Sequence, residues 1–253
     1  MPWPKYPFII NVPYGSPYIP SEERPAILLT DLELESELRL VTDLHLGDLA
    51  EAGQPLGLVH RFRYSSLVVD PELPRDGQND DSPVHTRTST GQLLRQVDER
   101  EKERLLARYH DPHQASFEAG LKFQIKNFGW CLIINLQTFS NCSTPTHLQR
   151  EQPPVGILLG QDPALTPANL VGLVETYWRN HSIPVVGILL PPTTRLPQQF
   201  KSATNIQTLT IALNRGLYLD EITGERLPGF GEVRSLLGGL FQHLSREYLP
   251  DLK

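Results

Sequence analysis

Short apolar runs bounded by turn residues recur along the chain, with helical patterns between them. Phe8–Val12, Ser66–Val69, Cys131–Leu136, Val155–Leu159, Val185–Leu190 and Thr208–Leu213 read as strands. Several are apolar on both faces, the pattern of strands covered by helices on both sides of a sheet. Asp31–Glu51 carries apolar residues at positions 34, 38, 41, 44 and 46, a helical spacing that Asp31 would cap. Asp98–Arg108 is a charged helix, and Asp111 with Pro112 then opens a further helix over His113–Lys126. Pro167 and Ala168 open a helix running to about Asn180, with Thr166 as its expected cap, and Gly231–Tyr248 closes the series as an amphipathic helix. Strands alternating with helices predict an α/β sandwich.

Asp70–Gly91, crowded with Pro, Asp, Asn, Gln and Ser, reads as a long surface loop and a candidate contact region. Ser140–Pro154 is a second polar loop, and no internal repeat occurs.

Composition narrows the functional classes. The net charge of −6, without a long block of one sign, argues against a nucleic-acid partner, which calls for a basic face. The 23 prolines are an excess, yet Gly and Pro together stay below the ~25–30% typical of disordered chains. They punctuate a folded chain. No apolar run approaches the ~20 residues that span a bilayer, and Met1–Tyr6 lacks the charged-then-apolar order of a secretory leader. A cytoplasmic location is the expectation. Cys131 and Cys142 make no disulfide framework, and Cys131, inside an apolar run, reads as a buried thiol.

Functional residues of α/β sheets gather where strands end. Here those segments are Val12-Pro13-Tyr14-Gly15-Ser16, Asp70-Pro71-Glu72, Asn135-Leu136-Gln137-Thr138 and Asn214-Arg215. Asn135 and Gln137 alternate onto one face of their strand. Asp43 and His45 fall on the first predicted helix and His113 begins a later one. These residue types bind zinc, but their spacing does not specify it. Taken alone, each histidine reads as structural or exposed.

In their order along the chain these segments resemble the N-formylglutamate amidohydrolase family, whose members hydrolyse an N-acyl amide with a metal-bound water. The resemblance runs from about Phe8 to Arg234. It rests on Val12-Pro13-Tyr14-Gly15-Ser16-Pro17-Tyr18-Ile19-Pro20, Thr42-Asp43-Leu44-His45, Tyr64-Ser65-Ser66-Leu67-Val68-Val69-Asp70 and His85-Thr86-Arg87-Thr88. The stretches Tyr109–His113, Leu132–Phe139 and Leu213–Glu221 extend it. It implies a zinc-carboxypeptidase-like α/β fold. For this chain that is a three-layer sandwich around a mixed, mostly parallel sheet, with residues 1–253 as a single domain. It also implies a divalent metal, usually zinc.

The departures from the family pattern carry as much information. The resemblance implies a metal-binding His at Tyr14 and an Asp-x-His-Ser run, its His also a ligand, at Asn135, Gln137 and Thr138. It implies a general-base Glu at Ala212 and a carboxylate-clamping Arg at Ser66. Asp43, Asp70, His113, Asn214 and Arg215 remain. A catalytic zinc takes about three protein ligands from His, Cys, Asp or Glu. Phenol and amide are poor substitutes for two imidazoles. Without metal, water keeps a pKa near ~15.7 rather than ~7, and Ala212 cannot take its proton.

Two readings follow. In the first, the chain is a catalytically inactive family member that holds no metal cofactor and binds a small ligand or a protein partner. In the second, it is an active metal-dependent amidohydrolase of an N-acyl amino acid with a rearranged site. That site would use Asp43, His45 and His113, with Asp70 and Glu72 as further acids, and would again need zinc or another divalent metal.

Overall fold

The computed structural model describes residues 4–54, 56–77, 81–140, 155–189, 196–197, 200 and 203–249. Its strands are β1 (Phe8–Val12), β2 (Leu58–Arg61), β3 (Cys131–Phe139), β4 (Ile157–Gln161), β5 (Val185–Leu189) and β6 (Ile206–Asn214). They build one sheet in the order β2-β1-β3-β6-β4-β5. Neighbours are parallel throughout except for the antiparallel pair β4–β6. The sheet is therefore mixed and mostly parallel, as expected.

Period-two alternation divides the strand residues between two cores. Phe8, Ile10 and Val12 of β1, Leu132, Ile134 and Leu136 of β3, and Leu209, Ile211 and Leu213 of β6 face one side. Against them pack α2 (Leu46–Ala50), α5 (Ala168–Asn180) and α6 (Phe230–Glu247), through side chains such as Leu49, Trp178 and Phe241. Ile9, Ile133 and Ile206 face the other side, under Phe117 and Leu121 of α4 (Asp111–Phe128). Each fully buried Leu, Ile or Phe contributes about 1.5–3 kcal/mol, so both layers are strongly held. Cys131 is buried and unpaired, and burial pushes its thiol up. Among the described residues, no helix is long and apolar enough to cross a membrane.

Three local expectations are corrected. Ser66–Val69 is a buried turn rather than a strand. Val68 and Val69 are apolar because they pack with Phe62, Leu105, Leu106 and Tyr109, away from the sheet. The second strand is instead β2, an edge strand whose half-exposed LVHR sequence shows no apolar run.

The predicted helix Asp31–Glu51 is broken. The first piece, α1 (Asp31–Val41), begins at a Thr30 cap that exchanges hydrogen bonds with Glu33, and it ends where Thr42 turns extended. His45 then adopts φ 61°, a left-handed conformation, before α2 starts. Asp43 and His45 therefore lie in a link between helices, not on one.

Pro112 does not open a new helix. From α3 (Glu99–Leu105) the backbone passes through a wide π-turn, Leu106–His110, straight into α4. The wider turn accommodates a ring that lacks an N–H and crowds the preceding carbonyls. Cys142, Leu190 and nearly all of the loop Ser140–Pro154 lie outside the described residues.

Candidate functional site

The carboxyl ends of β1, β3 and β6 meet the link between α1 and α2. Asp43 sits in that link, its backbone N–H donating to the Tyr14 carbonyl at 2.9 Å. Its carboxylate is only 5% exposed. The Thr138 hydroxyl donates to Asp43 Oδ1, and Arg215 Nη2 lies 3.4 Å from the same oxygen. Arg215 also donates through Nε to Thr138 Oγ1 at 2.8 Å. The rest of its guanidinium reaches the carbonyls of Arg39, Leu40 and Thr42 at 3.1–3.3 Å. Burial lifts the Asp43 carboxyl to about 6, against the opposing pull of Thr138 and Arg215. Asn214, next in sequence, is structural: Oδ1 accepts the Gly216 N–H and Nδ2 donates to the Val155 carbonyl.

Tyr14 closes the neighbouring side. Its hydroxyl donates to Asp70 Oδ1 at 3.2 Å, and burial together with the Asp70 charge pushes the phenol well above its ordinary value. Asp70 Oδ2 lies 3.4 Å from His85 Nε2, and Oδ1 also accepts the Glu72 N–H. Ser66 lies buried in the turn that leads to Asp70.

A row of polar side chains crosses the α4 side of the sheet. The strand register aligns His60, Asn11, Asn135 and Thr210 on four adjacent strands. His60 Nδ1–H donates to Asn11 Oδ1 and Asn11 Nδ2 to Asn135 Oδ1, both at 3.1 Å. Asn11 also reaches Glu72 Oε1 at 3.3 Å. Two residues further along, Gln137 and Ala212 are register partners on this same side.

His113 belongs to this edge of the sheet. Its ring stacks on His60 at 4.3 Å between centroids and meets the edge of Phe62 at 5.0 Å. Burial and the neighbouring imidazoles hold it down to about 3, while burial holds His60 down to about 4. His45 is committed elsewhere: Nε2–H donates to the Gly224 carbonyl at 3.0 Å and Nδ1 accepts from Arg226 at 3.3 Å.

Asp43, His45 and His113 are thus held by three separate sets of partners. Their hydrogen-bond and ring partners do not join them into one cluster. Among the described residues no three His, Cys, Asp or Glu side chains are placed to hold a metal ion.

Sequence reasoning passed over Asn11, His60 and the use of His85. Asn11 had a readable signal, a polar residue inside an otherwise apolar five-residue strand. The loop after Asp70 is pinned to α1, with Ser89 donating twice to Glu37 and Gln92 donating to Glu33.

The N-formylglutamate amidohydrolase family model matches residues 6–219. Among solved structures, the N-formylglutamate amidohydrolase of Ralstonia eutropha JMP134 superposes with a TM-score of 0.83 at 21% identity, covering 99% of this chain and 96% of that one. A gene product of Agrobacterium tumefaciens superposes with a TM-score of 0.66 at 14% identity, covering 99% and 93%. These likenesses show the shared fold. No curated protein gives a significant sequence match.

Proposed function

We propose, from the premise that the chain belongs to the N-formylglutamate amidohydrolase family, that it has kept the fold and lost the hydrolysis, and that it works by binding. Residues 1–253 act as one domain in this reading, in the cytoplasm. The observation that carries it is Ala212 beside Gln137 in the strand register: a methyl group and an amide stand where the family resemblance implies a general base and a metal ligand.

The remaining donors do not fit a catalytic zinc. A phenol donates its proton to Asp70 at one ligand position, and an amide replaces the imidazole at another. The third, Asp43, already accepts from Thr138 and Arg215. Zinc needs about three deprotonated or neutral-imidazole ligands and an open position, and one engaged carboxylate supplies neither. No hydrolytic step is therefore routed through a metal.

The substituted residues favour binding over turnover in this reading. Tyr14, Asn135 and Gln137 offer hydrogen-bonding groups in place of metal-binding imidazoles, which suits a small neutral polar ligand. A protein partner would use the segment from Asp70 to Gly91. Ser66 cannot grip a carboxylate as a bidentate guanidinium does, so N-formylglutamate is a poor ligand. A thermal-shift series with neutral polar molecules and N-formylglutamate tests this. An upward shift for a neutral molecule without its consumption supports the reading; tight binding and cleavage of N-formylglutamate overturns it.

A further inference from the structure

We infer that Arg215 is the permanent counter-ion of Asp43 and that the chain folds and keeps its former centre closed without a metal. This builds on the non-hydrolytic reading of the same pocket. A carboxylate buried as deeply as Asp43 is prohibitively costly unless a cation and hydrogen bonds answer it. Here the cation is the Arg215 guanidinium, itself only 8% exposed. Each of its nitrogens has a partner: Nε on Thr138, Nη1 on the Arg39 carbonyl, and Nη2 on Leu40, Thr42 and Asp43.

Two features make this cation a fixture. Guanidinium stays protonated at any accessible pH, so its charge does not depend on an equilibrium with solvent. The Arg39, Leu40 and Thr42 carbonyls belong to the C-terminal end of α1, where unsatisfied carbonyls and the helix dipole favour positive charge. Arg215 therefore joins helix, strand and carboxylate at one point. Thr138 follows Gln137 in sequence and bridges Arg215 to Asp43, while the Asp43 N–H is tied to the Tyr14 carbonyl. The second carboxylate of the centre, Asp70, is likewise answered by Tyr14 and His85.

The test is thermal unfolding of the purified full chain with EDTA, with added ZnCl2 and with neither, beside elemental analysis. Melting temperatures that agree within about 1 °C and sub-stoichiometric metal are expected, since a ligand bound only to the folded state would raise the midpoint. A drop of several degrees with EDTA overturns the inference.

A double-mutant cycle at the same pH adds the residue-level readout. Asp43→Asn and Arg215→Met should each lower the midpoint by roughly 10 °C, because each strands a buried partner. Together they should cost clearly less than their sum. Strict additivity overturns the pairing. If Arg215→Met does not fold, Arg215→Lys, which keeps the charge but loses the planar fork, takes its place in the cycle. An inert chain that carries stoichiometric metal defeats this inference and spares the non-hydrolytic reading; a metal-free chain that hydrolyses N-formylglutamate does the reverse.

Discussion

Ala212 stands directly beside Gln137 in the parallel register of β3 and β6, so a methyl group and an amide are neighbours at the positions where the proposed reading puts a lost base and a lost metal ligand. Neither can be replaced by a small shift of a neighbour, because both are fixed by the central pair of strands. The variant Tyr14→His/Gln137→His/Ala212→Glu restores the two imidazoles and the carboxylate that the family resemblance implies. It should retain about one zinc per chain on dialysis and gain stability with zinc, by mass action on the folded state. Elemental analysis checks the stoichiometry. No retained zinc would mean that the strand ends do not aim these side chains at one point.

His60 and His113 make the chain acid-sensitive. Both are held neutral when folded, at about 4 and about 3, against 6.5 for an unperturbed imidazole. The unfolded chain therefore binds more protons below about pH 6.5. Stability is whole above that pH and falls as pH drops towards the folded values, by about 1.4 kcal/mol per unit for each histidine. Urea denaturation between pH 4 and 7 should show this slope, and His113→Phe should flatten it by one histidine's share. An unchanged slope in the variant would contradict the assignment.

Asn11 links His60 to Asn135 across three strands, so Asn11→Ala leaves a buried amide oxygen and a buried ring N–H without partners. A loss of about 1–3 kcal/mol is expected in denaturant unfolding. Asn11→Asp, which keeps an acceptor for His60, should raise the histidine's pKa, readable by NMR titration.

Thr30→Ala removes the reciprocal cap between Thr30 and Glu33 at the start of α1. About 1 kcal/mol should be lost. Because α1 presents its last carbonyls to Arg215, the same variant should loosen amide protection in hydrogen exchange over residues 38–43.

The sheet was legible wherever an uninterrupted apolar run coincided with a strand buried on both faces, as in β1, β3 and β6. It was illegible at β2, whose edge position permits His60 and Arg61, and at Val68–Val69, whose apolar character serves a satellite cluster. The break between α1 and α2 was hidden because it depends on distant partners: Arg215 gathers the carbonyls of α1, and the Tyr14 carbonyl takes the Asp43 N–H. The positions of the old centre could be read from the family resemblance. That Asp43 and His45 turn to different partners could not, since Arg226 and Gly224 approach His45 from about 180 residues away in sequence.

The central claim is that hydrolysis has been lost, and it meets its most direct test in an N-formylglutamate assay of the purified chain, run with excess zinc and with EDTA. The account predicts no formate release above the uncatalysed rate in either condition, because no base stands at position 212 and no adequate ligand set surrounds Asp43. Formate release that requires zinc and disappears with EDTA would contradict it.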